Sequence, residues 1–173
     1  MHTAHDLGWL NALPPGAART ELLKCCGSRR WAATLTERRP FATLDQLLAQ
    51  AGDVWWGLDQ SDWLEAFRSH PKIGEEKAAA SVTAESQQWS AQEQQDIARA
   101  NDEAVEKLAR LNRAYEEKFG FIFIVCATGK STDELLVLLE MRLENEPAAE
   151  LRIAAAEQAK ITDLRLRKLL GPA

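Results

Sequence analysis

Apolar positions recur at helical spacing along most of this chain. Ala17 to Cys26 carries the pattern and ends at Gly27, a residue suited to a helix C-cap. Ser28 then opens a segment with Trp31, Ala32 and Leu35 on one face, which must stop before Pro40. Thr43 and Gln46 stand at capping-box spacing, and Leu44, Leu47 and Leu48 form an i, i+3, i+4 stripe in the helix expected to run to Ala51. Ser61 to Ser69 repeats the theme with Trp63, Leu64 and Phe67, and leads into His70-Pro71. From Pro71 to Trp89 the periodicity fades into small and polar residues, a long aperiodic stretch of the kind that often carries function. A long helix is expected from Ser90 to about Phe119, striped by Ile97, Ala104, Leu108, Leu111, Tyr115 and Phe119. Phe121 to Cys126 is apolar on both faces, rich in β-branched residues and too short for a helix, so it reads as extended and buried. Ser131 and Glu134 start another capped helix to about Leu143, and a last one covers Pro147 to Leu170. With no internal repeat and no linker, the pattern predicts an all-α fold. It is a single-domain multi-helix bundle over residues 1–173, with one short extended segment near 121–127.

Composition narrows the possibilities. The chain has 173 residues, 46% apolar and 27% charged, within globular norms and long enough to bury a real core. No run approaches the roughly 18 apolar residues of a membrane span. Met1 to Gly8 lacks a basic start followed by an apolar stretch, so no secretory signal is expected, and Gly171-Pro172-Ala173 does not resemble a peroxisomal address. A net charge of -5 argues against nucleic acid as a partner, and any anionic substrate needs a local cation working against the global field. Cys25, Cys26 and Cys126 cannot all pair, and the adjacent two are poorly placed to bridge each other, which suits a reducing cytoplasm. No Cys/His spacing resembles a zinc site and no glycine-rich phosphate loop is present. Chemistry by side chains alone, without metal or cofactor, is the expectation.

His70 is the one histidine in the body of the chain, and its unperturbed pKa near 6.5 suits proton transfer at neutral pH. It could equally be a solvated residue at a helix end, where the dipole favours its charged form. Ser90 and Glu93 have the S-x-x-E spacing of an ordinary N-terminal cap. The same geometry could offer amide donors, Glu93 and Gln94 to a carbonyl-rich ligand. Gln158, Ile161, Arg165 and Leu169 are spaced 3, 4 and 4, which draws Arg165 towards the core, where it is either a buried ion pair, a snorkelling side chain or a binding group. Arg167 lies about 200° round the helix and can pair with Asp163 instead. An extended Phe121–Cys126 run is core by default, yet its backbone groups could serve a ligand. Cys126 has no basic neighbour in sequence and is not expected to be a nucleophile.

The string Ser69-His70-Pro71-Lys72-Ile73-Gly74-Glu75, with Ser90-Ala91-Gln92-Glu93-Gln94, resembles the 2-oxo-4-hydroxy-4-carboxy-5-ureidoimidazoline (OHCU) decarboxylases of urate degradation. Cys25-Cys26-Gly27-Ser28 with Trp31, Arg39-Pro40-Phe41, Asn112 with Tyr115, Lys118-Phe119-Gly120-Phe121 and Leu164-Arg165-Leu166 add to the likeness, which runs from about Asn11 to Leu170. The resemblance implies a cofactor-free, mostly helical homodimer that turns the ureidoimidazoline acid into (S)-allantoin and carbon dioxide. It implies a catalytic set of His70, Glu93 and Arg165. It also implies substrate contacts from Pro71, Ser90, Glu93, Gln94 and the segment Ile124, Val125, Cys126, Ala127 and Thr128. Eukaryotic members often have proline where this chain has Ile122.

On that reading His70 positions the carboxylate for loss and relays protons, while Arg165 either binds the anionic substrate or holds Glu93. Two other readings compete. A helical module that binds partners through tryptophans and acidic residues predicts an exposed apolar groove and no polar convergence around His70. A cofactor-free hydrolase or lyase acting on another ureide would reuse the same residues.

Overall fold

Short-range capping determines where most helices begin. In the computed structural model, which describes residues 5–73, 84–93 and 102–171, Ser28 accepts a hydrogen bond from the Trp31 amide at 3.2 Å and opens α3 (Arg29–Glu37). Thr43 does the same for Gln46 at 3.1 Å and opens α4 (Leu44–Trp56). Ser131 and Glu134 form a complete capping box at the start of α8 (Thr132–Leu143). The remaining described helices are α1 (Leu7–Ala12), α2 (Pro15–Cys25), α5 (Gln60–Phe67), α6 (Ala84–Glu93), α7 (Asp102–Phe119) and α9 (Pro147–Leu170). No strand occurs among the described residues, so the all-α expectation holds.

The departures from expectation have physical causes. Leu7–Ala12 was not anticipated; it is capped by Asp6, whose carboxylate accepts from the Trp9 amide at 2.7 Å. Gly27 is not a left-handed cap: α2 ends because Cys26 turns extended, and among the described residues the positive-φ glycines are Gly120, Gly129 and Gly171. The helix expected from Ser90 to Phe119 is described as α6 and α7 separately, with 94–101 outside the described residues. Ser90 therefore does not open a helix; it lies well inside α6. That helix was invisible to hydrophobic patterning because its buried positions are Ser86, Trp89 and Ser90, spaced 3 and 1 but two of them serines. The Ser90 hydroxyl is satisfied by donating to the Ser86 carbonyl at 3.0 Å.

Contacts group the chain into two units. In the first, Met1–Ala66 with Ala159–Ala173, α2 packs on α3 and α3 on α4. Trp31 and Trp63 are buried there, with their indole N–H groups donating to the Ala51 and Trp55 carbonyls, each at 3.0 Å. In the second, Phe67–Gln158, α7 packs on α8 over a core that includes Leu108, Tyr115, Phe123, Val125 and Leu139.

The segment between α7 and α8 is neither helix nor strand, as anticipated for 121–127. Gly120 and Gly129, at φ 77° and 76°, turn the chain into and out of it, a conformation costly for any residue with a Cβ. Phe123 to Ala127 are all buried between them. A buried segment without strand partners must find other partners for its backbone polar groups.

Candidate active site

Those partners are charged side chains. Arg142 donates from Nη1 to the Ile124 carbonyl at 2.6 Å, Lys130 donates from Nζ to the Cys126 carbonyl at 2.8 Å, and the Cys126 amide donates to the Glu157 carboxylate at 2.8 Å. Among the described residues, none bonds the amide N–H of Ile124, Val125 or Ala127. Arg142 is itself held by Glu150 (Nε to Oε1, 2.6 Å) beneath Tyr115, whose hydroxyl donates to the same carboxylate. Burial pushes the Tyr115 phenol far above its ordinary range, against a smaller downward pull from the Arg142 charge, so it stays a donor. The guanidinium also lies over the Phe123 ring at 4.6 Å.

His70 follows α5. Its amide donates to the Phe67 carbonyl at 3.2 Å, and Pro71 beside it is buried. The imidazole is half-buried, and Nε2 lies 2.7 Å from Oε1 of Gln158. Gln158 adjoins Glu157, so consecutive residues of α9 reach the His70 ring and the Cys126 amide. Glu93, half-buried in α6, lies in the same unit, and its charge adds a small upward effect on the Cys126 thiol. Burial raises that thiol's pKa, opposed by Lys130 and by a backbone hydrogen bond from Thr128, and reinforced by Glu157 and Glu93. His70, Pro71, Ser90, Glu93 and Ile124 to Thr128 thus share the Phe67–Gln158 unit. Gln94 lies outside the described residues.

Arg165 belongs to the first unit. It is buried, places Nη1 3.5 Å from the Lys24 carbonyl, and lowers the pKa of both Cys25 and Cys26 against a larger upward effect of burial. Arg167 forms the expected solvent-side pair with Asp163 at 2.7 Å. Among the described residues, no group of three or more His, Cys, Asp or Glu side chains is arranged to hold a metal ion.

Sequence reasoning did not pick out Glu157, Gln158, Lys130, Arg142 or Glu150 as site residues. One signal was present: Gln158 sits on a helical stripe with Ile161 and Leu169, and an amide on an apolar face needs a buried partner.

A combination of half-buried histidine, anchored amide and an extended backbone offering N–H donors beside a carboxylate suits a small, polar, planar ligand. Comparison with known proteins points the same way. The family profile described as OHCU decarboxylase matches residues 11–167. The chain is 42% identical over 149 residues to the uric acid degradation bifunctional protein TTL of Arabidopsis thaliana, covering 85% of this chain but only 45% of that protein. It is 36% identical over 140 residues to the 2-oxo-4-hydroxy-4-carboxy-5-ureidoimidazoline decarboxylase of Amia calva, covering 80% of this chain and 79% of that one. A crystal structure of OHCU decarboxylase in the presence of (S)-allantoin superposes with a TM-score of 0.75 at 39% identity, covering 87% of this chain and 96% of the other.

Proposed function

This chain belongs to the OHCU decarboxylase family, and from that premise we propose that it converts 2-oxo-4-hydroxy-4-carboxy-5-ureidoimidazoline to (S)-allantoin and carbon dioxide, a carboxy-lyase step of urate degradation. The family match runs from residue 11 to residue 167 and so supports one functional domain. What supports the assignment of the site is the convergence in the Phe67–Gln158 unit. His70 and the Cys126 segment are tied together through adjacent positions on α9, and Glu93 shares their unit.

The chemistry makes specific demands. The bond from ring carbon to carboxylate breaks, its electron pair passes into the ring, and one proton returns to a ring carbon from one face. No external oxidant or reductant enters the balance, so the proposal needs no cofactor. Amide N–H groups of Ile124, Val125 and Ala127, with Ser90, Glu93 and Gln94, hold the ring in one orientation and stabilise the charge that develops on it. Pro71 lines the site beside His70. His70 positions the carboxylate for loss and relays the proton, a contribution of about 10²- to 10⁴-fold. For Arg165 the proposal rests on the resemblance alone: it either binds the anionic substrate or holds Glu93. A homodimer in the cytoplasm belongs to the same proposal, and the three buried, unbridged cysteines are compatible with a reducing compartment.

The test supplies the chain with substrate freshly made by oxidising urate and hydrolysing the product, and follows the optical activity of the allantoin formed. Rapid accumulation of one enantiomer is expected, and it disappears with His70→Ala while the helical circular dichroism persists. Racemic product at the uncatalysed rate from the unmodified chain overturns the reading.

A further inference from the structure

We propose that Gln158 is a positioning residue for this reaction. Its amide oxygen accepts from His70 Nε2–H, so the ring is held in one orientation with its lone pair on Nδ1. The role in catalysis rests on the function proposed above; the contact rests on geometry within the Phe67–Gln158 unit.

Gln158 is fully buried while His70 is only half-buried, so the amide is the fixed frame and the imidazole is what it fixes. Oε1 and Nε2 are 2.7 Å apart, a short, well-formed hydrogen bond between residues 88 positions apart in sequence. A neutral imidazole has one N–H and one lone pair, and a bond to either nitrogen decides which is which. The choice of an amide over a carboxylate matters. An anion at this position would favour the charged imidazolium and hold its proton. A neutral oxygen orients the ring without adding charge, so His70 can take up and return a proton within one turnover.

The preceding residue strengthens the argument. Glu157 accepts from the Cys126 amide at 2.8 Å, in the buried segment to which the proposed function gives the ring-binding backbone. Two consecutive side chains on a helix of 24 residues therefore set the imidazole and the ring-binding backbone in register. A small misplacement of a proton-transfer group costs about 10²-fold in rate, which is the reason to anchor both to one rigid element.

Nitrogen shifts of the His70 ring in labelled, unmodified protein, assigned by comparison with His70→Ala, test the contact directly. A single tautomer protonated on Nε2 is expected. Averaged shifts of a freely exchanging ring, or a proton on Nδ1, overturn the proposal whether or not the Gln158 variants fold. Gln158→Met keeps the length of the side chain and removes the acceptor. With allantoin formation as readout, kcat is expected to fall about tenfold or more while KM changes by less than about threefold. Gln158→Glu, which keeps an acceptor oxygen at the same reach, should retain the Nε2 proton and recover part of the kcat lost in the methionine variant. Unchanged kcat in Gln158→Met refutes the positioning role. If the unmodified chain turns over no substrate, the functional reading fails, and the ring shifts still judge the contact.

Discussion

Arg142 and Glu150 form an ion pair sealed from solvent, with their side chains 8% and 0% exposed, and the guanidinium uses its remaining reach to hold the Ile124 carbonyl at 2.6 Å. One buried charge pair thereby ties α8 to α9 and fixes the extended segment at the same time. Breaking such a pair from one side leaves an uncompensated charge in the interior, which typically costs about 3–5 kcal/mol. Arg142→Met is expected to lose that much in urea unfolding. A loss below about 1 kcal/mol would show that the pair contributes little to holding the fold.

Glu93 is the last described residue of α6 and caps no helix start among the described residues, so its removal should separate binding from stability. Glu93→Ala is expected to abolish enantioselective allantoin formation while moving the melting temperature by less than about 2 °C. A clearly destabilised variant with intact turnover would give Glu93 a structural role instead.

The α8 cap predicts a dependence on pH. The Ser131 amide donates to the Glu134 carboxylate at 2.7 Å and, as the main cause, holds its pKa below the usual carboxylate range. A carboxyl whose folded pKa is depressed stabilises the protein above its unfolded pKa, and that contribution is lost as pH falls through the folded value. The gap in melting temperature between the unmodified chain and Glu134→Gln should therefore be present at neutral pH and close on acidification. Ser131→Ala, which removes the hydroxyl side of the box, should cost about 1 kcal/mol at neutral pH. A glutamine gap that persists unchanged into acid contradicts the mechanism.

All three cysteines are buried, and desolvation dominates each thiol: it pushes Cys26 up to about 12 and raises Cys25 and Cys126 as well. The nucleophilic thiolate is thus scarce near neutral pH. Native protein at pH 8 should show no thiol reacting rapidly with a colorimetric disulfide reagent, whereas all three should react in denaturant. Rapid labelling of Cys126 in the folded protein would show that the extended segment opens to solvent.

How much of this was legible in the sequence follows the range of the interactions. Ser28, Thr43 and Ser131 announced their helices because a cap is a contact over three residues. The same local rule misled at Ser90 and Glu93. The S-x-x-E spacing is identical whether it opens a helix or lies inside one, and only the burial of Trp89 between two serines decides for α6. His70 and Glu93 could be nominated from their motifs, since residue type and order carry that information.

From the amino-acid sequence alone came the helical class, the capping residues, the extended run at 121–127 and the family's motifs, each resting on neighbours within a few positions. Tertiary structure alone decided that Gln158 meets His70, that Glu157 takes the Cys126 amide, and that Arg142 and Glu150 close beneath Tyr115 to grip Ile124. Those partners are chosen by which polar groups burial leaves unsatisfied, and that is settled only when distant helices pack.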